Sequence, residues 1–235
     1  MTADGGDSPT DPAAVLRSVL VAAQEAGFLG PGPIERHILH AEGFVSLAEV
    51  QPGGATARLL DLGSGGGLPG LVVATRLPWA QVVLLEANRR RAEFLSRAVA
   101  TLGIAARVSV VHQRAELCGR DPLYRGLFSG VVARSFGPPA VVAECAAPFL
   151  APAGWLIVSE PPAEVAADGN GHRATGLEEV HRGTPRWPAD RLAVLGLEPI
   201  EFVKGEFGYQ ILRQRQPCPE EFPRRNGVPS KRPLF

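Results

Sequence analysis

The sequence predicts an α/β protein: a doubly wound, mostly parallel sheet with an antiparallel pair of strands at its C-terminal edge and a helical extension at its N-terminus. Three observations predict it. From residue 58 onward, short β-branched or leucine-rich runs alternate with stretches of helical spacing, as in parallel strands joined by crossover helices. A glycine-rich turn follows the first of those runs and opens a helix. Before that point the apolar residues recur only at helical spacing.

Residues 1–10 are small and polar without periodicity and are expected to be disordered. Val15, Leu16, Val19, Leu20 and Ala23 place a helix over 12–26, with Asp11 as cap and Pro12 at the first helical position. The Gly/Pro cluster at 30–33 breaks the chain. A second helix is expected over 34–50, ended by Pro52, Gly53 and Gly54. Strands follow at 58–62, 81–86, 107–112, 129–134 and 155–159. Helices are expected at 69–77, from the Asn88 cap to about 102, and at 139–147. Residues 161–185 read as a loop, 191–197 carry a helical pattern, and 200–204 with 209–214 form a closing antiparallel pair. The last stretch, 217–235, is rich in proline and arginine and is expected to extend over the surface. The chain thus divides into a disordered start (1–10), a helical extension (11–54), a ligand-binding domain (55–216) and a basic tail (217–235).

Composition narrows the function classes. Apolar residues make up 45% of the 235 and charged residues 20%, which suits a globular chain large enough for a proper core. The 24 basic and 24 acidic residues cancel, so contact with nucleic acid needs a local patch. Two are candidates: Arg89–Arg91, and the segment from Arg213, which holds six basic residues against two acidic ones. Cys118, Cys145 and Cys218 are scattered outside any metal-ligand spacing and suit free thiols in a reducing compartment. His37 and His40 lie at i and i+3, but no third ligand is near, so packed histidines and no metal are expected. The first residues are not basic-then-apolar, and no apolar run is long enough for a bilayer. A cytoplasmic monomer without membrane contact is expected.

The strongest signal is the run from Leu59 to Gly70, LLDLGSGGGLPG. Glycines at such a turn let a ligand lie against backbone. Gly65, Gly67 and Gly70 satisfy G-x-G-x-x-G, a dinucleotide pattern. Asp61, Gly63, Gly65 and Gly67 equally satisfy D-x-G-x-G-x-G, and here the segment resembles class I methyltransferases. A diphosphate beside Asp61 would be repelled, whereas S-adenosylmethionine brings an ammonium and a sulfonium that a carboxylate can oppose. Glu86, at the end of the second strand, can bind both ribose hydroxyls of either cofactor. Glu116, just beyond the third strand, can flank the adenine; spacing alone equally allows a solvated loop carboxylate.

Separated pieces also resemble one family, the small-subunit ribosomal RNA guanine-N7 methyltransferases, or glucose-inhibited division protein B family. They are Arg36-His37-Ile38-Leu39, the run from Asp61 to Gly70 ending Leu-Pro-Gly, and Arg89-Arg90-Arg91 with Phe94-Leu95. Further along come Arg114-Ala115-Glu116, Val132-Ala133-Arg134-Ser135-Phe136, and the segment from Pro223 to Leu234. The resemblance implies a Rossmann-like class I methyltransferase fold, S-adenosyl-L-methionine as cofactor, and N7 of a guanine in 16S ribosomal RNA, free or in the small-subunit particle, as acceptor. It carries cofactor contacts onto Gly63, Leu68, Ala115, Glu116 and Arg134. Arg134 would orient the cofactor or a phosphate through its planar fork. The chain departs from the family pattern twice: an N-L-T stretch is replaced by the region 27–33, and the lysine-glycine pair ending the fifth strand is replaced by Ser159-Glu160-Pro161. Two other readings stand beside this one, a small-molecule methyltransferase of the same fold and a cofactor-binding ribosome-assembly factor without catalysis. A nicotinamide oxidoreductase is the remaining outlier.

Overall fold

The protein is described by a computed structural model over residues 11–51, 57–161 and 186–235. The expected disorder at 1–10, the helix stop at 52–54 and nearly all of the loop at 161–185 lie outside the described residues.

Two helices come first, α1 (Pro12–Glu25) and α2 (Ile34–Glu49). Asp11 caps α1 by accepting from Ala13 N at 3.0 Å, with Pro12 in the first turn where no N–H is needed. The alternating region holds β1 (Arg58–Leu62), α3 (Gly70–Arg76), β2 (Gln81–Glu86), α4 (Arg89–Thr101), β3 (Val108–His112), α5 (Ala115–Cys118), β4 (Phe128–Ala133), α6 (Pro139–Ala146) and β5 (Leu150–Glu160). Asn88 caps α4 through Arg91 N, as its spacing predicted. The chain closes with α7 (Ala189–Ala193), β6 (Leu197–Val203), β7 (Gly208–Gln214) and α8 (Val228–Lys231).

The strands form one sheet in the order β3-β2-β1-β4-β5-β7-β6. β1 to β5 are parallel, and β7 pairs antiparallel with β5 and with β6. Strand order reverses between β1 and β4, which opens a crevice at the carboxyl ends of the strands. The period-2 alternation of the strands divides the core. Leu59, Val82, Leu84 and Ile157 face the layer of α1 to α4, whereas Leu60, Val83, Leu85 and Leu156 face α5, α6 and α7. With both faces covered, the central strands β1, β2 and β4 are buried almost throughout, as a parallel sheet requires. Each buried leucine contributes about 1.5–3 kcal/mol through burial. Cys118 and Cys145 are buried free thiols, and burial pushes Cys118 up to about 12.

Three expectations need correction. β5 begins at Leu150, ahead of the predicted residue 155, with a register irregularity opposite Phe128 and Gly130. The helical pattern at 191–197 shrinks to α7, because Gly196 at φ +74° turns the chain into β6. The tail does not lie extended over the surface. Phe222 is buried, Arg125 donates to the carbonyls of Cys218, Pro219 and Phe222, and Arg224 reaches the wholly buried Glu144.

Candidate active site

At the end of β1 the chain turns under the control of β2. Gly63 N and Ser64 N both donate to Leu85 O, at 2.9 and 3.0 Å. Gly63 has φ +72°, and a Cβ there would lie 2.5 Å from Phe136 Cδ2. A glycine is therefore required twice over, by conformation and by space. At Gly65 a Cβ would meet nothing closer than 3.8 Å, so this face of the turn is open to a ligand. Gly67 packs where any side chain would strike Leu71, and Leu68 is buried, so both shape the turn from inside.

Glu86 joins the turn to the next helix. Its Oε2 accepts from Gly65 N at 2.8 Å and its Oε1 from Asn88 N at 2.7 Å. Each oxygen keeps lone-pair capacity for a further donor such as a ribose hydroxyl. Asp61 lies beneath the turn. Its Oδ2 accepts from Gly70 N at 3.0 Å, while its buried Oδ1 has no hydrogen-bond partner among the described residues. Burial raises its pKa to about 7, with hydrogen bonds from Ser64 and Gly70 opposing and the Glu86 charge adding to the rise.

Beyond β3, Ala115 and Glu116 open α5 and both are buried. Glu116 is no solvated loop carboxylate: its Oε1 accepts from Arg114 Nη2 and from Gly227 N, each at 2.9 Å. Burial alone would raise its pKa, but those hydrogen bonds outweigh it and hold the carboxyl below its usual range. These parts suit a nucleoside bearing positive charge: an open backbone face at Gly65, the Glu86 carboxylate beside it, and an orphaned carboxylate oxygen below. A diphosphate would meet both carboxylates.

Arg134 follows β4 and turns toward α2. Its Nη2 lies 2.8 Å from His37 Nδ1 and its Nη1 donates to His37 O at 3.5 Å. Its fork is thus largely engaged by α2, and burial lowers its pKa. One turn further along α2, the His40 ring stacks on Phe207 with centroids 4.3 Å apart. Burial first, then the Arg134 charge, lowers the His40 pKa to about 4, so the ring is neutral at pH 7. Both histidines are packed, His37 against Arg134 and His40 against Phe207; among the described residues no group of three or more His, Cys, Asp or Glu gathers to hold a metal.

A cavity of about 260 Å³ opens here, bounded by Pro31, Arg36, His40, Arg134, Glu160 and Phe207. Of the residues expected to contact the cofactor it shares only Arg134; Asp61 and Glu86 hold the glycine turn, and Glu116 lies against Arg114 and Gly227. Glu160 Oε1 accepts from Trp187 Nε1 at 2.8 Å, and its Oε2 pairs with Arg186.

This chain is similar to known proteins in both sequence and fold. The family model described as rRNA small subunit methyltransferase G matches residues 31–163. A Prochlorococcus marinus protein named ribosomal RNA small subunit methyltransferase G is 35% identical over 197 residues, covering 80% of this chain and 72% of that one. Its namesake in Rubrobacter xylanophilus is 33% identical over 225 residues, covering 92% and 80%. The chain belongs to the rRNA small subunit methyltransferase G family. Among solved structures, an O-methyltransferase from Bacillus cereus in complex with SAH superposes with a TM-score of 0.56, at 16% identity, over 86% of this chain and 90% of that one. That likeness is one of fold, the class I methyltransferase sheet with its antiparallel edge.

Against the methyltransferase G pattern, the two departures noted in the sequence meet in space. Pro31 and Glu160 both line the cavity. The same 27–33 region also covers the glycine turn, because a Cβ on Gly66 would lie 2.6 Å from Leu29 and 2.9 Å from Phe28 O. Sequence reading missed the parts of the site supplied by distant elements: Phe28 and Leu29 over the turn, Phe207 beside His40, and Tyr209, whose hydroxyl donates to His40 O at 2.7 Å. Gly43 was the available signal. It lies mid-helix, where a Cβ would collide with the Tyr209 ring.

Proposed function

We propose that this protein transfers the methyl group of S-adenosylmethionine to N7 of a guanine in 16S ribosomal RNA, acting in the cytoplasm on the free RNA or on the small-subunit particle. What supports this reading is the open backbone face at Gly65, with the Glu86 carboxylate on it and Asp61 beneath the turn, in a chain of this family. The donor, when bound, supplies an electrophilic methyl group on a sulfonium. Gly63, Gly65, Gly67 and Leu68 shape the turn that receives it, Glu86 takes the ribose hydroxyls, and Ala115 with Glu116 flanks the adenine. Asp61 and Arg134 set the field beneath and beside the methionyl end.

Guanine N7 is an aromatic lone pair with no proton to lose, so no general base is needed. The chain's task is to exclude water and align the acceptor. The cavity beside Arg134 receives the acceptor base next to Phe207, one face of which is already stacked on His40. For the RNA backbone, Arg213, Arg215 and Arg224 are already engaged by Gln51, Glu198 and Glu144. Arg89 pairs with Glu93, so Arg90 and Arg91 together with Arg225, Lys231 and Arg232 remain the candidates for phosphate contact. A small-molecule acceptor is the second reading, favoured by the departures from the family pattern at Pro31 and Glu160 in the cavity wall.

The test incubates the protein and labelled donor with small-subunit particles, with unmodified 16S RNA, and with a metabolite extract, then maps methylated nucleosides by mass. N7-methylguanosine in the RNA is the expected product. Label confined to the metabolite fraction would overturn the RNA assignment. Phe207→Ala should lower kcat/KM for RNA by about tenfold, in line with the loss of one stacking contact, while donor affinity stays unchanged.

A further inference from the structure

The tail is one of two candidates in the sequence for phosphate contact, and the fold engages three of its six cations. Glu144 on α6 is wholly buried and receives three hydrogen bonds from one residue: Arg224 N and Nε on Oε1, each at 2.8 Å, and Arg224 Nη2 on Oε2 at 2.6 Å. The same Nη2 donates to Arg232 O at 2.7 Å, so one guanidinium fastens both ends of the 224–232 segment. Between those ends Gly227, at φ +77°, starts α8 and points its N–H at Glu116 Oε1, 2.9 Å away. Arg125 anchors the chain just upstream through three carbonyls. Arg114 Nη2 donates to the same Glu116 oxygen, also at 2.9 Å. Among the described residues Glu116 Oε2 carries no hydrogen bond.

We infer that the C-terminal segment is a built part of the donor site: the Glu144–Arg224 pair positions Gly227, and Gly227 with Arg114 fixes the Glu116 carboxylate where it meets the nucleoside. Arg224 and Glu144 are positioning residues, and neither touches the ligand. The inference rests on the reading of Glu116 as a donor contact. The physical reason is preorganisation. A carboxylate held by two donors through one oxygen offers the other at no further ordering cost, whereas a freed Glu116 side chain must be ordered by each ligand that binds. The planar fork matters as well as the charge, because an ammonium in its place cannot serve both carboxylate oxygens and the Arg232 carbonyl in that fixed geometry.

The experiment measures S-adenosylhomocysteine binding by calorimetry and steady-state methyl transfer to small-subunit particles. The proteins are the wild type, Arg224→Met, Arg224→Lys, Glu116→Gln, and Arg224→Met combined with Glu116→Gln. Arg224→Met should raise the Kd by about tenfold, comparable to the loss of one charge-assisted hydrogen bond. It should leave kcat at saturating donor within about twofold, with the loss appearing in the donor KM. Arg224→Lys should recover part of the affinity, and the combined variant should bind no more weakly than Glu116→Gln alone, because both act through one carboxylate. Should Arg224→Met fail to fold, Arg224→Met with Glu144→Leu removes both charges together and leaves no buried carboxylate unpaired. An unchanged Kd in a folded variant, or a change seen only in RNA affinity and its salt dependence, overturns the inference. If Glu116→Gln itself binds like the wild type, the donor-contact reading fails instead.

Discussion

Asp61 makes the protein's stability depend on pH in a sense opposite to that of most carboxylates. Its carboxyl is 1% exposed and its pKa is raised from 3.8 to about 7, with burial as the main cause. Between those two values the native state holds a proton that the unfolded chain has released. The contribution of Asp61 to stability is therefore full below pH 4, falls as pH rises, and is lost above about 7. At about 1.4 kcal/mol per pH unit, the whole excursion is worth about 4 kcal/mol. Asp61→Asn removes the titration. The amide oxygen can still accept from Gly70 N, but its NH2 group then occupies the position where Oδ1 has no partner. That costs a pH-independent penalty of about 1–3 kcal/mol. The informative quantity is the change in the difference between the two proteins, not its level. Urea unfolding at pH 5, 6 and 7 should show the wild type losing about 2–3 kcal/mol relative to the variant over that range. Parallel stability profiles would refute a raised Asp61 pKa. Donor binding should run the other way. A cationic ligand favours the ionised carboxylate, so wild-type affinity should tighten by about tenfold from pH 6 to 8, while the variant stays flat.

Two further outcomes follow from the turn. Gly63→Ala meets both a left-handed backbone and the Phe136 ring; it should cost about 1–3 kcal/mol, seen in thermal unfolding as a drop of about 2–4 °C per kcal/mol, and should weaken donor binding. An unperturbed melting temperature would show that the turn yields freely. Glu86→Ala frees Gly65 N and Asn88 N and removes the proposed ribose acceptor, so S-adenosylhomocysteine should bind about 1–3 kcal/mol more weakly in calorimetry. Equal affinity would remove Glu86 from the site.

Local periodicity was enough for the order of strands and helices, the glycine turn and the caps at Asp11 and Asn88, because these depend on residues a few positions apart. Leu59 and Leu60 face opposite cores for the same reason: alternation along a strand is local. The antiparallel edge pair was legible as well, since Gly205 and Gly208 interrupt two β-branched runs. What local pattern could not contain was the meeting of distant segments. Arg224 reads as a surface cation in the sequence, and only the packing of the tail against α6 gives it the buried Glu144 as a partner, 80 residues away. The Arg134 fork reads as a phosphate or cofactor contact, and only the packing of α2 brings His37 to it. The cavity shows the limit best: Pro31, Arg134, Glu160 and Phe207 come from four separate stretches of chain, and no spacing rule links them. Sequence alone therefore singled out the turn proposed to cradle a positively charged nucleoside. Tertiary structure decided which cations are bound up by the fold and where a cavity opens, because burial and pairing are properties of contacts between segments that the chain order keeps apart.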